Sequence, residues 1–264
     1  MKSRPRRQIL RHAGAFAAAG VAGCMLPNSA AAQARTPFSV AQTLIPIAGG
    51  SDLFPVRRIY CIGRNYPAHA REMGSDPARE PPFFFQKPTD AIQNVPPGST
   101  VDHLYPSLTG NYHHEIELVA ALKSGGRNIP SDRALGHVLG YTVGLDMTRR
   151  DLQRAMGDAK KPWEIGKSFD HSAPLGHLQP VAAVGHPTKG AIWLKVNGQT
   201  RQSADLSDMI WSVAEQISKL SEAFELAPGD IIYSGTPANV GPVVRGDIMV
   251  GHIDGLPDIS VRVV

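Results

Sequence analysis

The stretch His113-His114-Glu115-Ile116-Glu117-Leu118-Val119-Ala120-Ala121-Leu122 constrains the fold of this chain more than any other. It reads as a strand on its way into a core, yet it carries two carboxylates one residue apart. Side chains alternate between the faces of a strand. Glu115 and Glu117 therefore point the same way, with His113 just before them, while Ile116 and Leu118 point the other way. Two readings are open. A half-buried strand with one wet face shows this alternation. A site for a hard cation shows it too, because carboxylates this close repel unless a cation or protons neutralise them.

The rest of the chain supplies many more short strands. Val56–Ile62 reads as one, ending at Gly63-Arg64-Asn65-Tyr66. Pro67 then suits the first turn of a short helix, with Asn65 or Tyr66 near the cap and Gly74 ending it. Residues 75–82 are a charged, Pro-rich loop. Phe83–Lys87 is a strand stopped by Pro88. Gly136–Met147 reads as strand, and Thr148 as the N-cap of a helix through Arg154. Residues 190–203 form a hairpin around Asn197-Gly198. One long helix is predicted from about Ser207 to Phe224, with Ile210, Val213, Ile217, Leu220 and Phe224 as its core stripe. Three short strands finish the chain. Many strands and few helices predict an α+β, strand-dominated fold.

Composition matters mainly at the N-terminus. The formal net charge is +4, but residues 1–34 hold five of the Lys and Arg and no Asp or Glu. Without them 22 basic residues face 23 acidic ones, so nothing basic argues for nucleic acid as a partner. Pro5-Arg6-Arg7-Gln8-Ile9-Leu10-Arg11 has the twin-arginine pattern, followed by an Ala/Gly-rich apolar run and Ala-x-Ala cleavage choices after Ala32 or Ala34. Residues 1–34 therefore read as a cleaved twin-arginine export signal, and the expected location is periplasmic. Val21-Ala22-Gly23-Cys24 resembles a lipobox, which gives the alternative of a membrane-anchored lipoprotein. Residues 35–55 read as a lead-in, and residues 56–264 as one catalytic domain. Cys61, in an apolar run, has no partner for an intramolecular disulfide once the leader is removed, and reads as packing.

Asp146 ends the apolar run Gly140–Leu145. Alone it reads as a strand-end or cap aspartate. With Glu115 and Glu117 it would complete an oxygen site suited to Mg2+, Mn2+ or Ca2+, since no soft ligand is present. His69 and Glu72 are three apart on the predicted helix, so they share a face and can hydrogen-bond.

Several motifs now align in order: Gly63-Arg64-Asn65-Tyr66-Pro67-Ala68-His69-Ala70-Arg71-Glu72-Met73, Pro81-Pro82-Phe83-Phe84-Phe85-Gln86-Lys87-Pro88, His114-Glu115-Ile116-Glu117-Leu118, Leu145-Asp146-Met147-Thr148, Trp163-Glu164-Ile165-Gly166-Lys167-Ser168-Phe169-Asp170 and Ser234-Gly235-Thr236-Pro237. Together they resemble the fumarylacetoacetate hydrolase family, closest to its acylpyruvate and fumarylpyruvate hydrolase branch. The resemblance implies a mixed β-roll around one metal site, with Glu115, Glu117 and Asp146 as ligands. It implies cleavage of a carbon–carbon bond in a 2,4-diketo acid, with fumarylpyruvate giving fumarate and pyruvate as the best specific match. Lys167 would supply positive charge to the developing enolate, and His69 with Glu72 would activate water on a lid segment flanked by Gly63 and Gly74. Gln153 and Thr236 would contact substrate, and Arg64 and Lys87 are candidates for anchoring its acid groups. Arg150 would have a supporting role. Relatives are commonly dimers, so a homodimer is expected. The same family includes oxaloacetate decarboxylases and isomerases of unsaturated keto-dioic acids, which are the alternative activities. An exported keto-acid-binding protein without turnover is the alternative of another class. One departure is Asn239, where the family commonly has glycine; asparagine tolerates positive φ better than most residues.

Overall fold

The computed structural model describes residues 37–74 and 80–264. The export-signal reading and Cys24 lie outside the described residues, as does most of the 75–82 loop. Residues Ala41–Val264 form one compact unit. Its centre is a mixed sheet running in the order Phe83–Lys87, Arg58–Gly63, Asp230–Tyr233, Ile116–Leu122, Val138–Leu145, Ala173–Gly176 and Ile92–Val95, with Gln179–Pro180 added beside Val138–Leu145. A second sheet of five strands is built on the Ala191–Val196 and Gln199–Asp205 hairpin. Asn197 and Gly198 turn that hairpin at φ 50° and 78°, as an Asn-Gly pair predicts.

The strand Ile116–Leu122 is buried on both faces, so the wet-face reading of its alternation fails. Ile116, Leu118, Ala120 and Leu122 enter the core between the two sheets, beside Ile192, Leu194 and Val261. Val119 and Ala121 enter a second core, beside Ile59, Cys61 and Ile231. The lead-in contributes here. Leu44–Pro46 and Leu53–Pro55 pair as an antiparallel hairpin, and Ile45 and Phe54 are buried in that second core. The chain changes sheets at Glu115. Tyr112–His114 pairs in a small three-stranded sheet, and Ile116 begins the central strand. Glu115 therefore sits at a corner, not within a strand.

Two helix expectations change. The single helix over 207–224 is a short 3-10 turn, Leu206–Asp208, followed by a helix over Val213–Ala223. Each piece has its own capping box, Asp205 with Asp208 and Ser212 with Glu215. Between them the backbone N–H groups of Ile210 and Trp211 donate to the Asn65 carbonyl and side chain, and this draws the segment out of helix. Thr148 is not an N-cap. Its hydroxyl donates to the Asp146 carbonyl, and the helix starts two residues later, over Arg150–Asp158. The Arg150 N–H that opens this helix donates to the Asn111 carbonyl.

Candidate metal centre and catalytic site

Antiparallel register builds the carboxylate cluster. Ile116 pairs with Leu145 and Glu117 with Gly144, so Asp146 emerges beside Glu115, and its N–H donates to the Glu115 carbonyl at 2.8 Å. Glu115, Glu117 and Asp146 are buried and offer carboxylate oxygens within 4.8 Å of one another. Gly144, the register partner of Glu117, leaves room for Val119 and Tyr233 of the neighbouring core to pack against this strand. A Cβ there would lie 2.6 Å from a Val119 methyl and 2.8 Å from the Tyr233 ring.

Cations converge on the cluster from three elements. Lys167 Nζ donates to Glu115 Oε2 at 2.7 Å and to Asp146 Oδ2 at 2.6 Å. Arg150 donates to Glu115 Oε1 and to the Gln153 side-chain carbonyl. Burial opposes the charge on Glu115, but Lys167 and Arg150 outweigh it and hold the carboxyl well below its usual range. Burial likewise disfavours the Lys167 ammonium, yet Asp146 and Glu115 keep its pKa above the ordinary lysine value. Glu117 makes no ion pair with a cation among the described residues, and Lys167 acts on it only weakly from a distance. Burial, then Asp146 and Glu115, push its carboxyl well up, against one donated bond from the Gly235 N–H at 2.7 Å.

This set fits a hard divalent cation. All three ligands are oxygens, and Glu117 carries like-charge stress that a cation relieves. Asp146 Oδ1 is buried and accepts no hydrogen bond among the described residues, although Lys87 Nζ pairs with it at 2.8 Å. Lys87 Nζ also donates to the carbonyls of Met147 and Lys167 and to the Ser172 hydroxyl. Lys87 was expected to anchor a substrate acid. The structure instead buries its ammonium against Asp146, Ser172 and the carbonyls of Met147 and Lys167.

His69 and Glu72 meet as their spacing predicts. His69 Nδ1 and Glu72 Oε2 are 3.0 Å apart, and His69 is buried. The helix carrying them is short, Pro67–Glu72, with proline in its first turn and Gly74 at φ 74° just beyond. Asn239 takes φ 67°, so the turn that commonly uses glycine survives, and its N–H donates to Glu72 at 3.1 Å. Burial raises the Glu72 carboxyl, but bonds from His69 and from the Asn239 and Val240 N–H groups bring it below its usual value. Gly63 has a reason other than a hinge. It closes a strand, and a Cβ there would lie 2.0 Å from the Phe83 ring.

Gln153 and Thr236 are buried and joined to the Glu115 corner through one residue each, Gln153 through Arg150 and Thr236 through Gln202. The Thr236 hydroxyl accepts from Gln202, which leaves its hydrogen for another acceptor. Arg64 takes φ 56°, lies over the Phe83 ring, and lines a cleft of about 590 Å³ together with Glu72, Gln153 and Trp163. Neither neighbouring histidine is free to act. His113 bonds Asn111 and Arg150, and burial with Arg150 lowers its pKa to about 4. His114 bonds Gln202, and burial lowers its pKa.

Three supports escaped the sequence reading. Gln202 accepts from His114 and from the Ile116 N–H, and donates to Thr236 and to the Pro237 carbonyl, so it joins the Glu115 corner to the Thr236 loop. Asn65 donates to the carbonyls of Trp211 and Ser234, joining the strand before His69 to the same loop. Gly166 lets the Lys167 turn press on Gln153, whose backbone would lie 2.7 Å from an added Cβ. Gln202 lies in a polar strand and gave no signal. The glycine beside Lys167 was a visible one.

A carboxylate cluster at a sheet corner, faced by a lysine and a His–Glu pair, defines a class of metal-dependent enzyme. The family Fumarylacetoacetate (FAA) hydrolase C-terminal matches residues 58–264, and the chain belongs to the fumarylacetoacetate hydrolase family. It is 43% identical over 188 residues to a fumarylpyruvate hydrolase from Ralstonia sp, covering 71% of this chain and 95% of that protein. It is 41% identical over 207 residues to the human mitochondrial oxaloacetate tautomerase, covering 78% of this chain and 91% of that protein. The crystal structure of fumarylpyruvate hydrolase from Pseudomonas aeruginosa in complex with Mn2+ and pyruvate is similar at TM-score 0.86 and 58% identity, over 87% of this chain and 99% of that one. These relatives place the chain in the acylpyruvate branch that its motifs resemble.

Proposed function

We propose that this enzyme hydrolyses the carbon–carbon bond of an acylpyruvate, with fumarylpyruvate as substrate and fumarate and pyruvate as products. The observation that carries the reading is the cluster of Glu115, Glu117 and Asp146, bonded by Lys167 and near enough to His69 to feel its charge at Glu115, with Glu72, the partner of His69, lining the adjoining cleft. The three carboxylates would hold Mg2+ or Mn2+, which supplies positive charge at the 2-oxo acid end of the substrate. Thr236 and Gln153 donate to the substrate carboxylate, and Arg150 holds both Gln153 and Glu115 in place.

His69 keeps Nδ1 on Glu72, so Nε2 is left to take a proton from water. That water attacks the carbonyl carbon of the acyl group. The bond from this carbon to the methylene of the pyruvyl unit then breaks, and its electron pair passes into the pyruvyl enolate. Lys167 places its ammonium where that negative charge grows. Protonation of the enolate carbon gives pyruvate, and the acyl group leaves as its acid. The same pair can move a proton without water, and the human relative's activity supports oxaloacetate tautomerisation as a second reading. The test is purified protein with Mn2+ or Mg2+, given fumarylpyruvate, acetylpyruvate and oxaloacetate, with and without EDTA. EDTA-sensitive formation of fumarate and pyruvate supports hydrolysis. Oxaloacetate enol–keto exchange without cleavage of either acylpyruvate supports the second reading.

We also infer export by the twin-arginine route and a homodimeric state. The Arg6-Arg7 pattern and the small-residue run before Arg35 support export, and mass spectrometry of the N-terminus in the periplasmic fraction tests it. Leu104 and Val244 are exposed apolar residues that flank the Arg245–Tyr105 stack, a surface suited to a second copy. The mass in solution by light scattering tests the dimer.

A further inference from the structure

The cleft beside Glu72 has a feature that the hydrolytic chemistry does not use. Its walls carry three cations, Arg64, Arg154 and Lys161, against the carboxylates of Glu72 and Asp158. Glu72 is already engaged by His69 and the Asn239 N–H. The side chains of Arg154 and Lys161 are exposed and make no hydrogen bond or ion pair among the described residues. Arg64 and Lys161 also border an adjoining groove of about 430 Å³ that Trp163 and Phe83 line.

The helix Arg150–Asp158 relates this rim to the metal centre. Arg150 and Arg154 are four residues apart, hence on one face and separated by about 6 Å along the axis. Arg150 is bonded to Glu115 at the carboxylate cluster, and Arg154 stands one turn outward, at the cleft wall. Gln153 lines the cleft between them. A substrate whose 2-oxo acid end lies at the cluster would thus run its acyl group toward Arg154 and Lys161.

We propose that Arg154 and Lys161 select acylpyruvates whose acyl group ends in a carboxylate, by pairing with that distal carboxylate at the mouth of the cleft. The inference rests on the acylpyruvate reading and adds the residues that recognise the second negative charge. An uncharged acyl group would leave both cations in water and gain nothing from them. The pairing is remote from the reacting carbon, so it adds affinity evenly along the reaction and its loss is read in KM more than in kcat.

The test uses the full-length Mn2+-loaded enzyme, with Arg154→Met, Lys161→Met and the double variant. The measured quantity is the ratio of kcat/KM for fumarylpyruvate to kcat/KM for acetylpyruvate. The expected result is a fall in this ratio of about tenfold or more in the double variant, carried by the fumarylpyruvate KM. Raising the salt concentration should lower the wild-type ratio and leave the double variant's ratio flat. An unchanged ratio in the double variant overturns the proposal, whether both rates fall together or neither falls. Equilibrium binding of fumarylpyruvate and acetylpyruvate to the Mn2+ forms separates the two ideas. If the wild type turns over neither compound, the hydrolase reading fails, while loss of its preference for the dianion in the double variant still upholds the rim. Equal dianion preference in both proteins overturns it.

Discussion

Glu117→Gln separates the metal site from the fold. Glu117 is buried, and its Oε2 accepts the Gly235 N–H at 2.7 Å. Glutamine has the same shape and keeps a carbonyl oxygen for that bond. Its amide NH2 would face Asp146 and Glu115, the groups that, with burial, now push the Glu117 carboxyl up. The metal-free variant should therefore melt at or above the wild-type temperature. Metal should tell the two apart. At Mn2+ a hundred times its Kd, binding stabilises the native state by about 2.7 kcal/mol. For a domain of this size that raises Tm by about 5–11 °C. If the neutral amide weakens binding about a hundredfold, the same Mn2+ concentration yields about 0.4 kcal/mol, or about 1–2 °C. Differential scanning fluorimetry with and without Mn2+ reads both quantities. An equal metal-induced rise in the variant would remove Glu117 from the ligand set. A metal-free Tm several degrees lower would show that the charge supports the fold, contrary to the reasoning.

Three further outcomes are expected. His69→Ala should lower kcat by about 10²–10⁴-fold while Mn2+-dependent pyruvate binding changes little; stopped-flow turnover and calorimetry check it, and an unchanged kcat rules out the His69–Glu72 pair as the base. Gln202→Ala strands the buried Ile116 N–H and the His114 ring, so it should cost about 1–3 kcal/mol in urea unfolding and lower kcat by loosening the Thr236 loop; wild-type values for both would show that the bridge is idle. Glu72 has a folded-state pKa below its unfolded value, so it adds stability above the unfolded pKa that is lost as pH falls through the folded one. Acid unfolding of Glu72→Gln should thus show a shallower loss below the usual carboxylate range than wild type, and superimposed curves would contradict that linkage.

The residues that bear chemistry were legible because their signals are local. Glu115 and Glu117 are one residue apart, close enough to share a site even though the chain turns a corner at Glu115, and a helix's period puts His69 over Glu72. These relations survive whatever the rest of the chain does. The same holds for the Asn197-Gly198 turn, where two residues set the hairpin alone. The long helix was misread for a related reason: a sustained apolar stripe outweighed Ser212 and Glu215, a capping signal that was equally local.

Other features had no local signal. Lys87 sits at the end of a strand whose other residues are exposed or half-buried, and nothing near it in sequence says that Asp146, Ser172 and two carbonyls will claim its ammonium. Gln202 bridges to residues 86 and 35 positions away, at Ile116 and Pro237. The Gly235 N–H reaches Glu117 across 118 positions. Sequence by itself thus determined which side chains could bind a hard cation and move a proton, since those depend on residue type and short spacing. Only the tertiary structure decided which cations neutralise which carboxylates, which stay stressed, and which charges are left at the rim. Those outcomes depend on burial and distance between segments that meet only when the sheets close over the core.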